Sequence, residues 1–151
     1  MRPSSNEPLP PSNPRRFAPH GQASFHCEGR RLVGFAQGPF NVELARHLDQ
    51  QIVDWCRRLC VDGPFDHLCV FRGSVLLGPE PMREFQRMLE RLSGEGIAPQ
   101  RMAYVIAPDV EGGTLLGPQL TQAYAAAGLN MRIFPSEAAA LAWLDSVPSQ
   151  P

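Results

Sequence analysis

Leu68, Cys69, Val70 and Phe71 form an unbroken apolar run that turns polar at Arg72-Gly73-Ser74. A short run without alternation reads as a strand covered on both faces, the pattern of a parallel sheet. Parallel strands need crossover connections, and amphipathic helices are the usual solution. The chain on either side must therefore supply helices with one apolar stripe each.

It does. Between Asn41 and about Cys60, Leu44, Leu48, Ile52, Trp55 and Leu59 recur at steps of four, four, three and four. That spacing predicts one helix with a sheet-facing stripe, and Asn41 is a suitable cap for its first amides. Glu43, Arg46, His47, Asp49, Gln50, Asp54, Arg57 and Arg58 fall on its other faces. A second helix is expected from Pro79 to about Ser93, with Met82, Phe85, Met88, Leu89 and Leu92 inward. Pro79 and Pro81 fit its first turn, where a missing amide costs nothing. Met102–Ala107 is another continuous apolar strand. A helix between Thr114 and Ala127 follows, its start delayed by Gly117-Pro118. Asn130–Phe134 reads as a strand. Ser136 caps a last helix ending near Asp145, with Ala138, Leu141 and Leu144 inward.

Ahead of the first helix, Ala23–Glu28 and Arg31–Gln37 read as a hairpin turning at Gly29-Arg30. The predicted order is ββαβαβαβα. This is an α/β fold: a single-layer, mostly parallel sheet of about five strands, with an N-terminal hairpin and about four helices. The domain spans 23–146. Residues 1–22 hold six of the sixteen prolines and few large apolar residues, which predicts a disordered tail. Residues 147–151 are expected to fray.

A chain of 151 residues fits one domain, and 43% apolar with 19% charged residues is the composition of a globular protein. A net charge of -1 offers no electrostatic case for nucleic acid or an anionic membrane. No apolar stretch approaches a membrane span, and no signal-peptide core opens the chain. The expected compartment is the cytoplasm, with reduced thiols. All fourteen basic residues are Arg, so lysine chemistry is excluded.

Candidate chemistry is sparse. Cys56 and Cys60 lie one turn apart and could share a metal, but only Cys27, His67 and Cys69 remain as further donors. Cys27 and Cys69 sit within apolar strands, where a thiol acts as a small hydrophobe. No metal and no cofactor is expected. Asp109 and Glu111 have no nucleophile or oriented base beside them, and no catalytic constellation assembles. Trp55 and Trp143 read as packing residues. Glu111-Gly112-Gly113-Thr114 precedes a helix but matches neither dinucleotide nor phosphate motifs, so a flexible connector is expected. Open α/β sheets bind ligands beyond the carboxyl ends of their strands. The candidate rim is therefore Phe40 and Asn41, Arg72, Gly73 and Ser74, and Gly112 and Gly113.

The closing segment Gly128–Ser146 resembles the ending of the SpoIIAA-like family, which is related to STAS domains and to CRAL-TRIO-type lipid carriers. Phe134, Glu137, Ala140, Leu141, Ala142, Trp143 and Leu144 carry that resemblance. Arg72-Gly73 followed by Pro79-Glu80 adds a weaker match upstream. The resemblance implies a cytoplasmic regulatory domain without catalytic machinery of its own, binding a protein partner. In STAS antagonists a phosphorylated Ser follows the central strand, which singles out Ser74, although the acidic residue and doubled Ser of that motif are missing here. Phosphate at Ser74 would add about -1.5 to -2 charges. The alternative is a carrier of a small apolar or anionic ligand, for which a cavity beside Phe40, Phe71 and Phe85 is the required feature. A homodimer through the hairpin edge stays open.

Overall fold

The computed structural model describes residues 21–146; the expectations for the leader through residue 20 and for residues 147–151 lie outside it. Its strands are β1 (Gln22–Glu28), β2 (Arg31–Gln37), β3 (Asp66–Arg72), β4 (Arg101–Ile106) and β5 (Met131–Phe134). Its helices are α1 (Val42–Leu59), α2 (Pro79–Gly94), α3 (Gly113–Ala126) and α4 (Glu137–Leu144). β1 begins at Gln22, so the domain reaches one residue further into the leader than its composition suggested.

The five strands lie in the order β1-β2-β3-β4-β5. β1 and β2 are antiparallel, and every later pair is parallel. Each strand is thus laid beside the previous one without reversal. Right-handed crossovers in such a sequence carry every connecting helix to the same side. Accordingly α1, α2 and α3 share one core with the sheet, through Ile52, Val53, Cys56, Met88, Leu89, Leu116, Leu120 and Tyr124. The order has no reversal, so the sheet lacks the switch-point crevice on which the strand-exit rule depends.

Register fixes the two faces. Phe25, Gly34, Cys69, Tyr104 and Ile133 are direct cross-strand partners in one row on the helix-covered face. His67 and Phe71 flank Cys69 on that face, two residues away on either side. Phe35, Val70, Val105 and Phe134 form a row on the opposite face, which α4 covers. β3 is buried from Asp66 to Val70, as its unbroken apolar run requires.

Local signals start the helices. Asn41 Oδ1 accepts from the Leu44 amide at 2.9 Å, and Ser136 Oγ from the Ala139 amide at 3.2 Å. Pro79 opens α2. α3 departs from expectation by starting at Gly113 with Pro118 inside it. α4 is rotated relative to the expected stripe: Ala140 and Leu144 are buried and Ala138 is exposed. In a segment as uniformly apolar as Ala-Ala-Ala-Leu-Ala-Trp-Leu, periodicity cannot choose a face.

α4 is instead fixed at its C-terminal end. The buried Arg101 guanidinium donates to the Trp143 and Leu144 carbonyls at 2.8 and 3.0 Å, and to the Ser146 hydroxyl and carbonyl at 3.2 and 3.0 Å. Arg31 pairs with Asp145 at 2.7 Å. Cations at a helix C-terminus satisfy its orphan carbonyls and oppose its dipole. Arg101→Ala should cost about 2–3 kcal/mol, the scale of hydrogen bonds to a charged donor. Hydrogen exchange should then show α4 amides losing protection before the sheet. Arg101→Lys should not restore it, because one ammonium cannot span four acceptors.

Candidate functional site

The three loops of the expected rim do meet. Gly38 N–H donates to the Ser74 carbonyl at 2.7 Å, and Phe40 N–H to the Leu76 carbonyl at 2.9 Å. Val75 N–H donates to the Glu111 carbonyl at 2.8 Å, and Glu111 N–H to the Gly73 carbonyl at 2.9 Å. These bonds extend the sheet past its strands, through bridges Phe40–Leu77 and Ser74–Glu111. The segment before α3 is therefore stitched in place rather than a loose connector. Gly112 has φ +82°, and a side chain there would meet Leu76 at 2.8 Å. Only glycine fits.

The rim residues do not converge on one surface. Arg72 points to the opposite face, over the Phe35 ring at 5.4 Å and 3.7 Å from Glu137. Ser74 is buried, and its Oγ accepts from the Leu76 amide at 3.2 Å. A kinase would reach that hydroxyl only after the three-loop junction opened. Asn41 caps α1, Gly73 is an exposed turn residue, and Phe40 alone of the named set faces inward.

What Phe40 faces is a cavity of about 70 Å³ between the sheet and the helices. Small side chains make the space: Ala36, Ala45 and Cys69 lie at its wall, and Gly34 sits beside Cys69 in the central row. A side chain at Gly34 would strike the Phe25 ring at 2.9 Å, so this glycine lets the ring lie across β2. Aromatic rings enclose the space. Phe40 meets Phe71 edge to face at 6.1 Å, Phe71 meets Tyr104 at 5.4 Å, and Tyr104 meets His67 at 5.9 Å. Phe25, Phe40, Leu48, Phe71, Leu77 and Phe85 are half-buried, and these residues bring the cavity toward the surface. Phe40, Phe71 and Phe85 were the residues beside which a carrier would need such a space.

The lining is almost wholly apolar, and burial holds its ionisable groups neutral. The Cys69 thiol is pushed up to about 12. The His67 imidazole is pushed down to about 4, and its Nε2 has no hydrogen-bond partner. Tyr104 is raised by burial, and its hydroxyl bonds the Tyr124 hydroxyl. In these states the thiol holds its proton at neutral pH and the imidazole is a weak base. Among the described residues no group of three or more His, Cys, Asp or Glu side chains is placed to hold a metal. No helix there is long and apolar enough to cross a membrane.

Asp49 is the exception in the lining. The apolar stripe expected for α1 leaves Asp49 on its polar faces, yet Asp49 falls in phase with buried Ala45, Ile52 and Cys56 and is half-buried. Desolvation and then the neighbouring Glu84 raise its carboxyl to about 7, against the pull of Arg91. It makes no hydrogen bond or ion pair among the described residues. Asp49 also lines an adjoining surface groove with Arg46, Glu84, Arg87 and Arg91. Phe25, Asp49, His67 and Tyr104 line the cavity and are not among the expected rim residues. The available signals were an acid in step with the apolar stripe and small residues clustered at the centre of the sheet.

No family model, curated protein or solved structure matches this chain.

Two opposed titrations follow from this site. His67 is depressed below its unfolded value, so the folded state loses stability as pH falls from about 6.5 toward 4. Asp49 is raised, so the folded state loses stability as pH rises from about 4 to 7. Asp49→Asn should therefore gain in melting temperature over the parent as pH climbs through that window. His67→Phe should gain as pH falls through it. Thermal melts at pH 4.5, 5.5 and 7 check both signs.

Proposed function

We propose that this chain is a non-catalytic, STAS-like domain that binds a small, mainly apolar molecule in the cavity between β2–β4 and helices α1–α3. The observation that carries the reading is the combination of that apolar space with neutral, buried Cys69, His67 and Tyr104. Ligand sites are mostly apolar and concave, with few polar groups; Asp49, the lining carboxyl raised to about 7, shares this space with the buried, neutral Cys69, His67 and Tyr104. The size is modest: about half the roughly 150 Å³ of an engineered apolar cavity that takes up benzene. Half-buried Phe40, Phe71 and Phe85 are the walls able to yield.

The STAS-like assignment rests on the closing motif and the coarse architecture. Most of the motif packs on the second face: Ala140 and Leu144 are buried there, Leu141 lies against them, and Phe134 lies 5.6 Å from Trp143, while Ala142 is exposed. Glu137 pairs with Arg72. A protein-partner role draws separately on Leu76 and Leu115, large side chains 40% and 69% exposed at the strand-exit end. The buried Ser74 makes phosphorylation a poor trigger for it.

The test is binding of three- or four-carbon apolar probes, such as 1-propanol and 1-butanol, followed by methyl and aromatic NMR. Shifts confined to lining residues such as Ile52, Leu116 and Leu120 are expected. Ala45→Leu should fill the space and abolish those shifts while leaving the protein folded. Absence of any lining shift at saturating probe, in the parent protein, overturns the reading.

A further inference from the structure

The cavity and the arginine groove meet at Asp49, which belongs to both walls. The groove carries Arg46, Arg87 and Arg91 against Glu84 and Asp49. Glu84 already serves two of these cations, with Oε1 at 3.5 Å from Arg46 and 2.6 Å from Arg87. Arg91 forms no ion pair among the described residues. With both acids ionised the groove keeps one net positive charge; with Asp49 protonated it keeps two. An apolar space ending at such a surface suits a molecule with one apolar end and one anionic end. A cationic head would face three guanidinium groups.

Building on the cavity reading, we propose that the ligand is a short amphipathic carboxylic acid whose apolar tail enters the cavity and whose carboxylate lies in the arginine groove beside Asp49. By volume the tail is about three or four carbons, scaling from the six of benzene in a space about twice as large. Arg91 supplies the uncommitted cation, and the Asp49 carboxyl donates to the bound anion when protonated.

Proton linkage follows from the neighbours. Asp49 faces Glu84, Arg87 and Arg91 from α2 and Arg46 from its own helix. From the sheet it faces His67, Cys69 and Tyr104, all neutral between pH 6 and 8. Asp49 is therefore the group that titrates there, from a starting value of about 7. If the bound anion lifts it to about 8, affinity is about fivefold higher at pH 6 than at pH 8. A simple carboxylic acid stays ionised across that interval, so the change belongs to the protein.

The experiment titrates the full chain with butyrate, 1-butanol and butylamine at pH 6 and pH 8, read by calorimetry and by NMR shifts of lining residues. Butyrate is expected to bind best and to tighten about fivefold at the lower pH. Asp49→Asn should bind butyrate with no pH dependence, and Arg91→Gln should weaken it about threefold, as for an exposed ion pair. Butanol binding as well as butyrate, or butylamine binding better, overturns the carboxylic-acid proposal and leaves the cavity reading intact. Butyrate affinity that is flat between pH 6 and 8 in the parent overturns the role given to Asp49. Failure of all three probes overturns the cavity reading with it.

Discussion

The contact on which the helix-covered face depends is the buried pair of Tyr104 on β4 and Tyr124 on α3. One hydroxyl donates to the other, so each has a partner in a region where an unpaired hydroxyl would carry a substantial desolvation cost. The ring planes meet at 83°, so the pair is also an edge-to-face aromatic contact. It ties the central row of the sheet to α3, and through Phe85 at 5.8 Å it reaches α2. From Tyr104 the ring chain continues to Phe71 and Phe40 on one side and to His67 and Phe25 on the other. A scaffold of rings held at fixed angles can enclose space that a core of flexible aliphatic chains would close.

The two faces of the sheet answer different demands. Three helices must pack on one face because the strands are laid down in order and every crossover has the same hand. Among the described residues the other face has only α4, eight residues long, to cover Val33, Leu68, Val70, Ala103 and Val105. A helix that short gains little from its own hydrogen bonds and is held by tertiary contacts. Arg101 at its end, Arg31 on Asp145, and Trp143 beneath the Arg101 and Arg132 guanidinium groups supply them. The closing segment Glu137–Leu144 is therefore a docking device for the second face. It lies across the sheet from the cavity, so its residues speak to architecture before ligand.

Element order was legible because it rests on strong local signals: the apolar run of β3, the Asn41 and Ser136 caps, and the prolines opening α2. The meeting of three loops at the strand exits was legible from topology. Which face each loop residue joins was not, because it depends on register. Arg72 and Phe71 are neighbours in sequence, and the alternation of a strand sends them to opposite sides of the sheet. Ser74 looks like an ordinary exposed loop serine, but bridges to Glu111 and hydrogen bonds at Gly38 and Leu76 bury it. No property of the tripeptide Arg-Gly-Ser announces those distant partners.

Asp49 departs from the pattern of its helix. A stripe through Leu44, Leu48, Ile52, Trp55 and Leu59 leaves every charged residue of the helix on the remaining faces. The helix buries a stripe turned toward Ala45, Val53 and Cys56, and Asp49 lies on it. A carboxylate at such a position disfavours its own charged form and weakens the fold above neutral pH. Local rules are broken in this manner chiefly where function compensates. The small residues opposite it, which cost packing, and the guanidinium groups beyond it, which cost repulsion among themselves, are further departures gathered within one patch. A core selected only for stability would have placed a leucine at that position and drawn Phe40 and Phe85 inward to close the gap.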